Sequence, residues 1–183
     1  MRIDINQKKI TVGSQYKIFL NKKESYYAET QLLSFLPVLN LYPHDSFILR
    51  MRMSKLFSWF KPKYKIYFPN EDKIVFKSES LFKDVYSCTH QSDNYKIYGH
   101  KGRNFSIFKN EEQIASWKKE AISWFAGDNY TIWVNNDAYH ELIISFCLII
   151  DSIERKKNKG NILSYDFGNF IEARKTNPNW RPE

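Results

Sequence analysis

The stretch Ala138–Ile153, AYHELIISFCLIIDSI, decides the fold, because apolar side chains surround nearly the whole circumference of the helix it predicts. A helix that is apolar all round must be enclosed by protein or by lipid. Between Leu142 and Ile150 only Ser145 is polar, but the stretch is shorter than the ~20 apolar residues that a membrane span requires. We therefore expect the rest of the chain to enclose this helix.

Residues flanking this stretch set the predicted bounds of the helix at 137–156. Asn135-Asn136-Asp137 offers capping oxygens and a negative charge to a helix start. The cations between Arg155 and Lys159 suit a helix end, and Gly160 can stop the helix. The sequence thus predicts a helix of about five turns.

The size of the chain indicates one domain. Its 183 residues are enough to bury an independent core. We expect residues 1–160 to form a domain that contains the helix and residues 161–183 to be an extension or tail. From Lys175 onward the composition is typical of a loose tail.

Strand-like runs rich in aromatic and β-branched residues precede the helix. Turn-forming residues separate them at regular spacing, for example Pro-Asn-Glu-Asp at 69–72 and Lys-Gly-Arg-Asn at 101–104. This pattern is typical of an all-β sandwich or barrel, whereas the segment Leu33–Pro43, with two prolines, is predicted to be irregular or a strand edge. The predicted strands are Arg2–Val12, Tyr16–Leu20, Tyr26–Leu32, Phe47–Met53, Tyr64–Phe68, Lys73–Ser78, Leu81–His90, Tyr95–Gly99, Phe105–Lys109, Gln113–Trp117, Ala121–Ala126 and Tyr130–Val134.

The charge balance favours an anionic partner. The chain has 28 Lys and Arg against 20 Asp and Glu, a net charge of +8. Nucleic acid, phospholipid headgroups and acidic proteins would all suit this surplus. A charge carried for solubility alone would give the same number.

The cysteines and the N-terminus indicate a reducing compartment. Cys88 lies in a strand-like run and Cys147 in the apolar helix, so both are predicted to be buried free thiols. The first residues, MRIDINQKKITV, lack the apolar core of a signal peptide. We expect a cytoplasmic protein without a transmembrane span, at most peripheral at a membrane.

A basic and aromatic segment is the candidate binding site. Between Ser46 and Asn70 the chain carries six cations and no acid, with Trp59 and Phe60 among them. Exposed aromatic rings would insert at the level of lipid headgroups, which the cations would attract. The alternative is that the cations line the wet face of half-buried strands and both rings belong to the core. The predicted anionic-lipid site comprises Arg50, Arg52, Lys55, Trp59, Phe60, Lys61, Lys63 and Lys65.

Other functions have weaker sequence signals. Cations interleaved with aromatic residues could bind single-stranded nucleic acid, but no zinc-finger or RNP-like motif accompanies them, so nucleic acid is not favoured. His140-Glu141 lacks the second histidine of a zinc protease helix, and no G-x-S-x-G is present. We therefore expect no enzyme activity, no catalytic residue, no cofactor and no metal site. His100 is expected to be solvated at a hairpin tip, and Asp151 to accept hydrogen bonds from the barrel rim.

Three stretches resemble the tubby-like superfamily, which includes the LURP-one-related proteins and the phospholipid scramblases. FILRMRMSKLFSWFKPKYKIYF (47–68) is similar to a basic strand and turn of the LURP-one-related proteins, and YKIYGHKGRNFSIFKNEEQIASWKK (95–119) resembles a hairpin of theirs. GDNYTIWVNNDAYHELIISFCLIIDSIER (127–155) resembles their closing strand and helix. The resemblance covers residues 14–155. It implies a mainly β fold: a closed antiparallel β-barrel of about twelve strands around a central hydrophobic helix.

The resemblance also implies a binding function. Tubby proteins bind phosphoinositides through basic side chains, so the resemblance implies non-enzymatic binding of anionic phospholipid or phosphoinositide. Scramblases carry a Cys-rich stretch and an acidic calcium segment after the helix, whereas ERKKNKG follows it here, so scrambling is not implied. An intracellular scaffold that binds protein through barrel loops or through 161–183 is the alternative.

Overall fold

The structure, a computed structural model, describes residues 1–9, 13–31, 34–121, 128–160 and 173–183. The described residues form twelve strands followed by one helix. The elements are β1 Arg2–Lys9, β2 Ser14–Leu20, β3 Lys23–Thr30, β4 Val38–Pro43, β5 Met51–Leu56, β6 Lys63–Tyr67, β7 Lys73–Ser78, β8 Val85–His90, β9 Asp93–His100, β10 Asn104–Lys109, β11 Glu112–Ala121, β12 Asp128–Val134 and α1 His140–Gly160.

The strands form one closed barrel in which each pairs with its neighbours in sequence. All pairs are antiparallel, and β1 closes the barrel by pairing with β12 from Arg2↔Trp133 to Asn6↔Asn129. Since consecutive strands run in opposite directions, their connections alternate between two ends. We call the end where α1 begins the lower end and the end where α1 finishes the upper end. The predicted closed barrel of about twelve strands is confirmed.

The helix lies inside this barrel. Its apolar side chains are buried on every side, and Phe146 contacts Phe76 at 5.5 Å and Tyr95 at 5.8 Å between ring centroids, although β7 and β9 are different parts of the wall. Each enclosed Leu, Ile or Phe contributes roughly 1.5–3 kcal/mol. Ser145 donates a hydrogen bond to the Glu141 carbonyl at 2.7 Å, so its hydroxyl needs no partner in the wall. Across the described ranges, the structure contains no helix with the length and hydropathy of a membrane span.

Alternating side chains and tight turns explain why these residues form strands. In β7, Ile74 and Phe76 point inward whereas Val75 and Lys77 face outward. The turn between β10 and β11 consists of Asn110 and Glu111, both with positive φ, as in the two-residue turns that match the twist of a hairpin. Local turn chemistry and period-two burial thus specify the same meander.

Several predicted strand bounds are wrong. The strand predicted at Phe47–Met53 begins only at Met51, and Phe47 is 92% exposed in a loop. Leu33–Pro43, predicted to be irregular or a strand edge, contains β4, which pairs with a strand on each side. Gln113–Trp117 is part of one strand that continues to Ala121, while residues 10–12, 32–33 and 122–127 lie outside the described residues. Phe47 and Leu49, which the prediction placed on one face with Met51 and Met53, therefore lie in a loop, where a period of two does not indicate a strand.

The helix begins at His140, three residues after its predicted start at 137, and continues to Gly160, four residues beyond its predicted end at 156. The three residues Asn135-Asn136-Asp137 belong to a turn, in which the Ala138 amide donates to the Asn135 carbonyl at 3.2 Å. Both cysteines are buried and free, as predicted.

Residues 173–183, which we call the strap, lie against the outer wall of the barrel. Arg174 forms an ion pair with Glu111 at 2.9 Å, and the Trp180 indole N–H donates to the Gln113 carbonyl at 3.0 Å. The loose tail predicted from Lys175 onward is therefore wrong for this segment. The predicted division between 1–160 and 161–183 stays a prediction, because residues 161–172 lie outside the described part of the chain.

Charging the centre of the helix is expected to abolish folding. Ile144 is 0% exposed, so Ile144→Asp would bury an uncompensated carboxylate and lower the free energy of unfolding by more than about 4 kcal/mol. Soluble yield, circular dichroism and urea unfolding measure the effect.

The matched control for this substitution is Val75→Asp on the outer face of β7, which should lower stability by less than about 1 kcal/mol. A cooperatively folded Ile144→Asp protein would mean that the helix is not enclosed by the barrel.

Candidate functional site

The eight side chains of the predicted lipid site do not form one patch. Arg50 lies at the lower end, in the loop between β4 and β5, and forms an ion pair with Glu141 at 3.1 Å. The Tyr26 hydroxyl donates to the same carboxylate oxygen at 3.1 Å. Arg50 thus neutralises an acid of the first helical turn, far from Trp59 and Phe60 at the upper end.

Three predicted cations lie on the outer wall of β5 and β6: Arg52, Lys63 and Lys65. The strand register extends this surface to β7, because Lys63 is directly opposite Lys77. Like charges in such positions repel each other unless an anion lies between or near them. We call this surface the outer basic face; it consists of Arg52, Lys63, Lys65, Lys73 and Lys77.

Sequence reasoning missed Lys73 and Lys77 in this face. The available signal was that Lys73 and Lys77 are four residues apart, which places both on the same face of a strand. Its position beside β6 depends on hairpin pairing, however, and becomes certain only with the register. Lys55 is excluded from the outer face, because its register partner Tyr64 points into the barrel.

Trp59 and Phe60 lie in the loop between β5 and β6 at the upper end and are 83% and 81% exposed. The alternative interpretation, which placed both rings in the core, is wrong. Lys61 in the same loop donates to the Glu79 carbonyl at 2.6 Å, which joins this loop to the connection between β7 and β8.

Other large apolar side chains are exposed on the neighbouring upper-end loops. The loop between β3 and β4 is joined to β5 by a hydrogen bond from the Lys55 amide to the Pro37 carbonyl at 2.9 Å. The Ser78 amide donates to the Pro62 carbonyl at 3.0 Å on the other side. We call these exposed side chains the apolar rim: Phe35, Phe57, Trp59, Phe60, Leu81 and Phe82.

The two ends of the barrel differ in charge as well. Among the described loops, cations outnumber acids at the upper end, and acids outnumber cations at the lower end. The upper-end loops carry Lys61, Lys83, Lys101 and Arg103 with Glu79 and Asp84, and the lower-end loops carry Lys22 and Arg50 with Asp45, Glu71, Asp72, Glu111 and Asp137. The lower end also exposes Phe47 and Ile48, but within an acidic setting.

A second polar site lies inside the upper end, around Asp151. This carboxylate is 1% exposed and accepts hydrogen bonds from the hydroxyl groups of Tyr16, at 2.7 Å, and Tyr130. The Gln7 side-chain amide donates to it at 3.2 Å. The prediction that Asp151 accepts hydrogen bonds from the barrel rim is confirmed.

Two cations neutralise the acids of this site. Arg155, one helical turn after Asp151, forms an ion pair with it at 2.9 Å. The Lys119 ammonium of β11 approaches Asp151 at 3.4 Å and Glu154 at 3.0 Å. With the contact between Lys119 and Asp128 at 3.0 Å, these residues form the ionic cluster: Lys119, Asp128, Asp151, Glu154 and Arg155.

The surroundings of the cluster fix its protonation states. Burial alone would lower the pKa of Lys119, but the carboxylates of Glu154 and Asp151 raise it, so this ammonium stays charged. Burial, and then the Asp151 charge, raises the pKa of Tyr16 and Tyr130 well above the ordinary tyrosine value. Both phenols therefore remain donors, and the cluster holds the end of α1 against β1, β2, β11 and β12.

Two other candidate reactive groups, Cys88 and His100, are buried. Burial raises the pKa of Cys88 to about 12, so this thiol is not a nucleophile at neutral pH. His100 is 4% exposed and its Nε2 lies 2.7 Å from the Ser106 hydroxyl, so the expectation of a solvated histidine at a hairpin tip is wrong. Across the described ranges no group of three or more His, Cys, Asp or Glu side chains is arranged to hold a metal ion.

Removing the cation of the ionic cluster is expected to destabilise the fold strongly. Lys119→Met leaves three carboxylates without their ammonium, and breaking a buried ion pair from one side costs about 3–5 kcal/mol. Urea unfolding measures the loss.

The neighbouring substitution Lys118→Met is the control, because that side chain points outward and should change stability by less than about 0.5 kcal/mol. Equal effects of the two substitutions would show that the cluster does not hold the helix.

Comparison with known proteins places this architecture in a family. Residues 1–151 match the model of the family described as LURP-one-related. No curated protein and no solved structure gives a significant match. Barrels of this family are generally non-catalytic. The match covers the whole barrel and most of the apolar part of α1, so this chain belongs to the LURP-one-related family, within the tubby-like and scramblase superfamily.

Proposed function

We propose that this domain is a non-catalytic module that binds anionic phospholipid, phosphoinositides included, with the upper end of the barrel facing the membrane. The apolar rim carries the proposal. Six large apolar side chains on three neighbouring loops are exposed at one end, where water would otherwise surround them. Exposed apolar groups concentrated in this way mark a membrane or protein contact.

Loop-borne aromatic rings suit the interface of a bilayer. Trp and Phe side chains partition into the headgroup region, and Trp59 and Phe60 project from one loop beside Phe57. The Phe57 and Trp59 rings contact each other edge to face at 5.5 Å, which orders the loop before it meets lipid. Insertion would therefore require little rearrangement of the protein.

Cations next to the rim supply selectivity for anionic lipid. Lys61 shares the loop of Trp59 and Phe60, and Lys63 follows at the top of β6. Lys83 lies on the next upper-end loop, beside Phe82. Each cation near an anionic surface contributes about 1 kcal/mol, so a few such side chains produce measurable binding.

The filled barrel directs the ligand to the outside. Because α1 occupies the interior, the acyl chain of a lipid finds no space there. Binding at the surface places the domain as a peripheral protein at the cytoplasmic leaflet, which carries the anionic lipids.

Removing the rings of one rim loop is expected to abolish vesicle binding. In a sedimentation assay with vesicles containing phosphatidylserine, Trp59→Ser/Phe60→Ser should move the protein from the pellet to the supernatant. Phe47→Ser/Ile48→Ser, which removes two exposed apolar side chains at the lower end, is the matched control and should bind like the parent protein. If Phe47→Ser/Ile48→Ser lost vesicle binding and Trp59→Ser/Phe60→Ser kept it, the lower end would face the membrane and the proposed orientation would be wrong.

Removing lysines next to the apolar rim should weaken binding to anionic vesicles in proportion to the number of charges removed. Lys61→Gln/Lys63→Gln is expected to reduce partitioning into phosphatidylserine vesicles by about 2 kcal/mol, roughly thirtyfold, because each lysine contributes about 1 kcal/mol. Lys22→Gln/Lys23→Gln, at the turn between β2 and β3, is the control. Binding of the parent protein to neutral phosphatidylcholine vesicles with equal affinity would contradict an electrostatic contribution.

The same apolar rim also fits a protein partner, so a scaffold or interaction module is the second candidate function. Vesicles distinguish the two. The lipid proposal fails if the parent chain does not bind anionic vesicles. If Trp59→Ser/Phe60→Ser then abolishes capture of a cellular protein, the apolar rim is a protein-binding site.

A further inference from the structure

The strap is held against the wall at a defect in the strand ladder. A register shift between Ile107 and Phe108 on β10 places Ile107 opposite Ala115 but Phe108 opposite Gln113, so Ile114 is an extra residue. The Gln113 carbonyl accepts the hydrogen bond from Trp180, and the Ile114 carbonyl accepts one from the Asn135 amide at 2.9 Å. The bulge therefore creates the acceptor that positions the Trp180 ring.

The end of the strap is also bound to the protein. The Glu183 amide donates to the Asn135 side chain at 3.1 Å, and the Glu183 carbonyl accepts from the Asn136 amide at 2.9 Å. At the other end of the strap, the Arg174 guanidinium lies 3.7 Å from the centroid of the Phe108 ring. The segment between these anchors spans the outer wall of β10 to β12.

A cavity of about 410 Å³ lies beneath this span, which we call the strap pocket. Pockets that hold small molecules usually measure about 300–1,000 Å³. Small side chains on the outer wall leave the room for it: Ser106 and Ser116 face each other across β10 and β11. Pro178 and Trp180 of the strap form the opposite side.

An exposed tryptophan forms one wall of the strap pocket. Trp133 on β12 has Ser116 as its register partner. Its indole therefore projects beside a small side chain and is 39% exposed. A half-exposed indole presents a flat apolar surface on which a ring can stack. The neighbouring Ser106 hydroxyl is paired with His100, which gives the floor hydrogen-bonding groups.

The charge of the strap pocket is positive. Lys118 and Arg181 line it, and none of the acidic side chains that the structure describes does. Among the described residues no carboxylate forms an ion pair with Lys118, and Arg181 donates only to the carbonyls of Pro178, at 3.1 Å, and Trp180, at 2.7 Å. Two cations without a neutralising acid make the pocket attractive to an anion.

We propose that the strap pocket binds a small ligand that combines a flat ring with an anionic group. The ring stacks on Trp133, and the phosphate or carboxylate of the ligand contacts Lys118 and Arg181. The strap closes the pocket through Trp180. This site lies on the wall of β9 to β12, across the barrel from the outer basic face, and is independent of lipid binding at the apolar rim.

Isothermal titration calorimetry on the full chain tests the proposal with paired probes. Adenosine monophosphate and adenosine differ in the phosphate, and 4-hydroxybenzoate and 4-hydroxybenzamide differ in the carboxylate; inorganic phosphate supplies an anion without a ring. At least one charged ring compound should bind with a dissociation constant below about 1 mM. Its neutral counterpart and inorganic phosphate should bind at least about tenfold more weakly, because a hydrogen bond to a charged group is lost or the stacking surface is absent. Binding of only one charged compound identifies the anion as phosphate or carboxylate.

Substitutions locate the binding. Trp133→Ala and Lys118→Gln should each weaken binding of the charged probe about tenfold or more, and Trp133→Phe should retain part of the affinity. Lys65→Gln, an outward lysine on the other side of the barrel, is the matched control and should bind the probe like the parent chain. Thermal unfolding confirms that the variants are folded.

Three results would overturn the proposal: no binding of either charged ring compound, equal binding of charged and neutral counterparts, or undiminished affinity in folded Trp133→Ala. The vesicle assays remain informative in each case, because Lys118→Gln should leave sedimentation with vesicles unchanged.

Discussion

The fold depends on mutual filling: a twelve-stranded barrel has an interior that must be occupied, and α1 has no polar side on which to face water. Antiparallel closure removes the exposed strand edges but leaves a wide lumen. The helix fills that lumen with branched and aromatic side chains, such as Phe146 between Phe76 and Tyr95. Neither part has a stable alternative arrangement in water, so the barrel and the helix form a single cooperative unit.

Buried polar contacts then determine how far the helix is inserted. Nonspecific apolar contacts would allow the helix to slide or rotate inside the barrel. The hydrogen bonds to Asp151 from Tyr16 and Tyr130 fix its position, because they form at one depth and one rotation only. At the other end Glu141 is fixed by Arg50 and Tyr26. The helix is thus fastened at both mouths, which leaves the loops and the outer wall as the surfaces available for binding.

The residues predicted a sandwich or barrel of strands and an enclosed helix because these signals are local and repeated, whereas the closed twelve-stranded barrel was implied by the resemblance to the tubby-like superfamily. Turn residues between apolar runs and an all-apolar stretch are visible in short windows of the chain, and Gly160, a residue that can stop a helix, is the last residue of α1. The strand at Phe47–Met53 failed because loop residues there alternate by chance, and β4 was missed because prolines masked it.

The binding surfaces were harder to predict. Whether two cations share a face depends on strand register, which separates Arg50 from Lys61 by the length of the barrel and brings Lys77 beside Lys63. The docking of the strap depends on a bulge at Ile114, which no sequence pattern predicts.

Strap docking has a topological consequence. The Met1 ammonium donates to the Val134 carbonyl at 2.7 Å, and the Glu183 carbonyl accepts from the Asn136 amide, so the first and last residues of this sequence meet at one short segment. A brief peptide linker could join them, and new ends could be opened at an exposed hairpin turn without altering the strand order, which makes the domain suitable for circular permutation. For the same reason, a fusion partner attached to residue 1 or residue 183 of this domain would lie beside β12 at the lower end, and the rim loops would stay unobstructed.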